Sequence, residues 1–248
     1  MTSVPFYLDW TFWMTVVALL ALALSQLPPL HVLLRPGRCE VEAFDRIQVT
    51  HDIGRPGAVW HLIVRNAGGR DITIRSLSLD FKPEDREGFK LQGRGYYQSS
   101  ADQNAVILTS FKLPSGADWK HIVTFFAPPS RTEERELSQI KSAIRNDIVL
   151  RKQLPSNKDK VLEAAPGLVT AAHEIFRRQF KWEPGEYEIT LNIGAEPASA
   201  GICRKFRITV FESDTAQLKD CTERYKYGAG IYFQDSSQDP VFMPTTPT

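Results

Sequence analysis

Cysteine is scarce in this chain, and its scarcity removes two classes at once. Cys39, Cys203 and Cys221 are the only three in 248 residues, and both a disulfide scaffold and a zinc cluster need cysteine pairs at short spacing. Buried or idle thiols are expected, with a Cys203–Cys221 bridge open only to a domain in an oxidising compartment. An excess of charge is also missing: 30 Lys plus Arg stand against 29 Asp plus Glu. No basic field invites DNA or RNA, so no nucleic-acid partner is expected.

Reactive signatures are absent as well. No Gly-x-Ser-x-Gly elbow occurs, and Gly93-Arg94-Gly95 lacks the third glycine and the strand-to-helix setting of a phosphate cradle, so it is expected to be a flexible loop. The five histidines, His31, His51, His61, His121 and His173, are dispersed, with no two at the one-turn spacing of a helical zinc site. His173 and Glu174 would point about 100° apart on a helix. The acidic pairs Glu84-Asp85 and Glu133-Glu134 sit in solvated contexts. No catalytic, cofactor-binding or metal-ligating residue is assigned, and no cofactor is expected.

What is present is one long apolar run. From Trp10 to Leu34 there is no Asp, Glu, Lys or Arg. As a helix, Trp10 to Leu27 would extend roughly 27 Å, close to the ~30 Å hydrocarbon thickness of a bilayer. Tyr7, Trp10 and Trp13 cluster where amphipathic rings prefer the headgroup level, and Pro28-Pro29 stops the helix. A cleaved signal peptide could use Ala21-Leu22-Ala23, but residues 1–9 offer no basic leader. A buried core helix would ordinarily carry a polar stripe. Residues 10–34 are therefore expected to form a transmembrane anchor and exit segment after a short tail, 1–9. Arg35, Arg38 and Arg46 follow the run and only Asp9 precedes it, so positive flanks place the C-terminal part in the cytoplasm, with a periplasmic or extracellular domain as the alternative.

Beyond Pro36-Gly37 the pattern changes to the period-two alternation of half-buried strands. Ile47 and Val49 begin it; Trp60, Leu62 and Val64 continue to the turn signal Asn66-Ala67-Gly68-Gly69, which suggests a hairpin. Ile72 and Ile74 are out of phase with Leu77, Leu79 and Phe81, which demands a bulge or break near Arg75-Ser76. A polar connection is expected from Lys82 to Gln103, then strands over 105–111 and 119–126. The cleanest alternation comes last, over 187–193 and 204–211, and should form an antiparallel pair. In the corner 182–187, a tyrosine at the strand start would bond back to nearby backbone.

Between these strands the period becomes helical. Leu137, Ile140, Ile144 and Ile148 make a narrow stripe after Ser130, and a second helix is expected over about 158–180, bent at Pro166-Gly167. The fold expected is mainly β: an immunoglobulin-like antiparallel β-sandwich over 40–212, with a helical hairpin inserted at about 130–181. A short helix and a disordered, Pro-rich tail would occupy 213–248. Basic residues of the insertion, including Arg145, Arg151, Lys152, Arg177, Arg178 and Lys181, could meet an acidic partner or anionic lipid, although acids dilute them. The function expected is that of a single-pass membrane protein whose sandwich binds or scaffolds another protein without catalysis. Two alternatives stand beside it: a membrane-bound enzyme with a site assembled from loops, and an envelope-assembly or sensor domain facing outside.

Overall fold

Alternating apolar side chains carry most of the chain into strands. The computed structural model describes residues 10–26, 35–99, 102, 104–157, 159–233 and 240–248. Helix α1 spans Trp10–Gln26, and eight strands follow: β1 Cys39–Ala43, β2 Arg46–Asp52, β3 Arg55–Asn66, β4 Ile72–Pro83, β5 Phe89–Tyr97, β6 Val106–Ile107, β7 Phe111–Leu113 and β8 Asp118–Phe126. Helices α2 (Arg131–Lys152) and α3 (Pro166–Gln179) come next, then β9 Gly185–Glu196, β10 Ile202–Val210, α4 Glu212–Asp220, β11 Val241–Pro244 and β12 Thr246–Pro247.

The strands pair antiparallel in the order β11-β2-β3-β8-β5-β4-β9-β10-β12, with β1, β6 and β7 alongside β3, β5 and β4. Instead of two stacked sheets, this is one sheet curled nearly into a barrel, and the closing device is the C-terminal segment. β11 pairs with β2 and β12 pairs with β10, and only Thr245 separates the two strands. The tail expected to be disordered is therefore structured over residues 240–248. Its prolines are tolerated because β11 and β12 lie at the ends of the ladder, where a missing N–H breaks no central pairing.

Inward-facing Trp60, Leu62, Leu79, Phe81, Val123 and Ile189 fill the barrel and are almost fully buried. The phase slip after Ile74 is resolved as expected, by a register shift between Ile74 and Ser76 against β9. Two expectations are corrected. Asn66-Ala67-Gly68-Gly69 turns the chain, but β3 and β4 do not pair; the Asn66 amide bonds Arg70 and Leu113 carbonyls and pins the turn to another strand. The expected polar connection contains β5, which inserts between β4 and β8. There Gly93-Arg94-Gly95 is a bulge in a strand and no free loop. A side chain at Gly95 would lie 2.9 Å from the Val106 carbonyl oxygen, too close for any Cβ.

Helices cover the end of the barrel where β2 turns into β3. In α2 the Ser130 hydroxyl accepts the Glu133 N–H and the Glu133 carboxylate accepts the Ser130 N–H, and the buried stripe is the expected Leu137, Ile140, Ile144 and Ile148. The second helix starts at Pro166, where the sequence pattern suggested a bend; proline at the first position lacks only an N–H that would go unused. Trp182 is fully buried beside this cap and its indole N–H donates to the Thr50 carbonyl at 2.8 Å. Tyr187 behaves as the corner pattern predicts, its hydroxyl donating to the backbone of Glu183 and Lys181 at 2.7 and 3.0 Å. The antiparallel pairing of β9 with β10 is likewise as expected.

Candidate functional site

The first candidate feature is α1. Seventeen residues with no charge form a regular helix, and most of its described large side chains are exposed. Trp10 is 77% exposed and Leu20 57%, and among the described residues no α1 side chain belongs to the hydrophobic core. Among the described residues no helix is long and apolar enough to cross a membrane. Of the expected interface rings, Trp10 and Trp13 lie in α1, while Tyr7 falls outside the described residues. Arg35 is exposed, and Arg38, also exposed, stands 3.7 Å from Glu40 just before β1.

The second is the helical cap, which carries the six basic residues singled out in the sequence. Arg151 pairs with Asp147 at 2.5 Å and donates to the Glu163 carbonyl, and Arg178 pairs with Glu136 at 2.5 Å. These neighbours hold both guanidinium charges in local pairs, while the two side chains remain 40% and 54% exposed. Arg145, Lys152, Arg177 and Lys181 are exposed. The end of α2 and its connection to α3 carry exposed apolar side chains that the stripe pattern did not reveal: Leu150 is 63% exposed and Val161 81%, and Val149 and Leu154 are exposed too.

The third is a cavity of about 580 Å³ between β2, α2 and the segment after α4, lined by His51, Asp52, Arg55, Lys141, Cys221 and Tyr232 among others. The Asp52 carboxylate bridges Lys141 at 2.7 Å and Arg55 at 3.0 Å, so β2, β3 and α2 meet in one ion cluster. No spacing in the sequence announces it, since the partners are up to 89 residues apart.

His51 and Cys221 have the elements of a nucleophile–base pair, with Sγ 3.3 Å from Nε2. The hydrogen bonds assign them another role. The Gly54 N–H donates to His51 Nδ1 at 3.2 Å, so the ring proton sits on Nε2, which donates to the Leu218 carbonyl at 2.9 Å. The thiol thus faces an N–H and not a lone pair, and it donates to the same carbonyl at 3.2 Å. Burial pushes the His51 pKa down, against the Leu218 bond and the Asp52 charge. The arrangement clamps the β2–β3 turn to α4 through a neutral imidazole, and as protonated here it cannot take the Cys221 proton.

Remaining sequence candidates are dispersed. His61 and His121 lie on neighbouring strands but on opposite faces of the sheet, opposite Ile122 and Leu62 respectively. Among the described residues no three His, Cys, Asp or Glu side chains are grouped to hold a metal. Cys203 is exposed on β10 while Cys39 and Cys221 are buried, and none is bridged. No protein-family model matches the sequence, and no curated protein matches it either.

Proposed function

We propose that this chain is a single-pass membrane protein, without catalysis of its own, whose barrel and helical cap bind a protein partner on the cytoplasmic side of an inner or plasma membrane. The observation that carries the reading is the separation of α1 from the core: an apolar helix with Trp10, Trp13, Val17, Leu19, Leu20 and Leu22 exposed needs lipid or another chain to cover it. At 1.5 Å per residue its 17 residues extend roughly 25 Å. A bilayer of ~30 Å adapts to a span a few ångström short by local thinning, at fractions of a kcal/mol per ångström. Arg35 and Arg38 follow this segment and favour retention of the barrel in the cytoplasm.

Support for a protein partner comes from the end of α2 and its connection to α3, where Leu150, Leu154 and Val161 are exposed along with the basic Arg145 and Lys152 of α2. Apolar side chains ringed by carboxylates would complement it. The neutral, occupied His51 ring speaks for the non-catalytic reading over a membrane-bound enzyme using this cavity.

Membrane extraction at high pH tests the anchor. The full chain should stay in the pellet, and Leu19→Arg with Leu20→Arg should move it to the supernatant, each arginine costing about 2.5–3.5 kcal/mol at the helix centre. A wild-type chain recovered without detergent, or a double variant still embedded, defeats the proposal.

A further inference from the structure

A second recess, of about 450 Å³, lies on the outer face of the barrel, shares only Gln48 with the lining of the helical cavity, and is independent of the anchor. It is built by strand register. Along β2, β3 and β8 the buried Val49, Trp60, Leu62 and Val123 turn to the core, which leaves Gln48, Val59, His61 and Ile122 on the opposite face. Cross-strand pairing continues this row on both sides, bringing Phe242 beside Gln48 and Tyr97 beside Ile122. Phe44 and Phe242 form walls that remain 52% and 49% exposed, although an antiparallel strand usually gives its solvent face to polar residues.

Charge in this groove has one sign. Arg46 and Lys120 line it with His61, while His121 borders it with its ring turned to the other face of the sheet, and among the described residues no Asp or Glu lines it. Lys120 is held 3.2 Å from Asp118, which also takes Arg65, and its side chain stays open to solvent; Arg46 makes no ion pair among the described residues. The His121 ring packs on the opposite face against Tyr96 and Trp119 at 4.8 Å and lies 3.1 Å from the Tyr97 carbonyl, which ties β8 to β5 at the groove's border. By contrast, the larger cavity under the helices carries both signs, already paired through Asp52.

We propose that this groove binds a small amphipathic carboxylate, its flat or alkyl body lying over Val59 and Ile122 between Phe44 and Phe242 and its oxyanion directed to Arg46 and Lys120. The volume falls within the roughly 300–1,000 Å³ of small-molecule sites, and a mainly apolar lining with few convergent polar groups is their usual make-up. Two cations beside an apolar floor supply complementarity to an anion with a greasy body, and a neutral analogue of the same shape forfeits that part.

The test uses the full chain in phosphatidylcholine nanodiscs, titrated with naphthalene-2-carboxylate and, separately, with naphthalene-2-carboxamide, following ligand fluorescence anisotropy against empty nanodiscs. The carboxylate should bind saturably and about tenfold more tightly than the amide, a difference of about 1.4 kcal/mol. Arg46→Gln with Lys120→Gln, both on the surface and outside the core, should erase the preference while leaving the melting temperature unchanged. Phe242→Ser should weaken both ligands alike. Equal binding of acid and amide, a signal matched by empty nanodiscs, or a charge preference that survives the double substitution would overturn the site. So would a groove closed by a second copy of the chain, seen as a dimer by light scattering that the carboxylate does not compete with.

Discussion

At the scale of single residues, the chain uses reactive side chains as structural parts. His51 is the clearest case, because the bond from Gly54 and the bond to Leu218 both require the neutral ring. Its folded pKa lies below the ordinary 6.5, so the folded state resists a proton that the unfolded chain accepts. Stability should therefore be unaffected by this group above about pH 6.5 and should fall as the pH drops from there toward the depressed folded value, by up to about 1.4 kcal/mol per unit. Thermal melts between pH 7.5 and 5 check this. His51→Gln should flatten the profile over that interval, where ordinary carboxylates stay ionised, and an unchanged profile would assign the acid sensitivity elsewhere. Gly54 belongs to the same turn: at φ +87° it meets the Phe176 backbone so closely that a Cβ would lie 2.5 Å from the carbonyl oxygen. None of this was legible in the sequence. Dispersed histidines suggested structural or surface groups without naming their partners, because the groups that engage His51 come from a turn three residues on and from residues some 167 and 170 positions away.

At the scale of elements, legibility tracks the clarity of the period. β9 and β10 alternate cleanly, and their register came out as the alternation implied. The α2 stripe is as clear, since helical spacing is unambiguous over 22 residues. β5 was hidden by its glycines, because the bulge at Gly93–Gly95 breaks the alternation just where the backbone must pass close to Val106. β11 and β12 were hidden by prolines, whose composition suggests disorder until the ladder ends provide positions that need no N–H. This difference has a measurable cost. Met243, 1% exposed against the core, should lose about 2–5 kcal/mol on replacement by alanine in a urea titration. A loosely attached tail would give a change within about 0.5 kcal/mol. The groove also escaped the sequence, since Phe44, Val59, Tyr97, Ile122 and Phe242 are brought together only by pairing across five strands.

At the scale of the whole molecule, the cysteines supply a native reporter of sidedness. Cys203 is exposed on the barrel, Cys221 is enclosed, and burial pushes the Cys39 thiol up to about 11, which keeps it unreactive. A membrane-impermeant maleimide should leave intact cells unlabelled and mark the chain once, at Cys203, after permeabilisation; labelling of intact cells would place the barrel outside. The same molecule also has an order of assembly written into it. The edge of β2 waits for a partner that lies nearly 200 residues further along the chain. At ~5–20 residues per second, a ribosome takes on the order of 10–40 s to deliver it. Throughout that interval the nascent chain carries two unpaired β edges, so its passage to the native state depends on how well those edges are kept from meeting one another's copies.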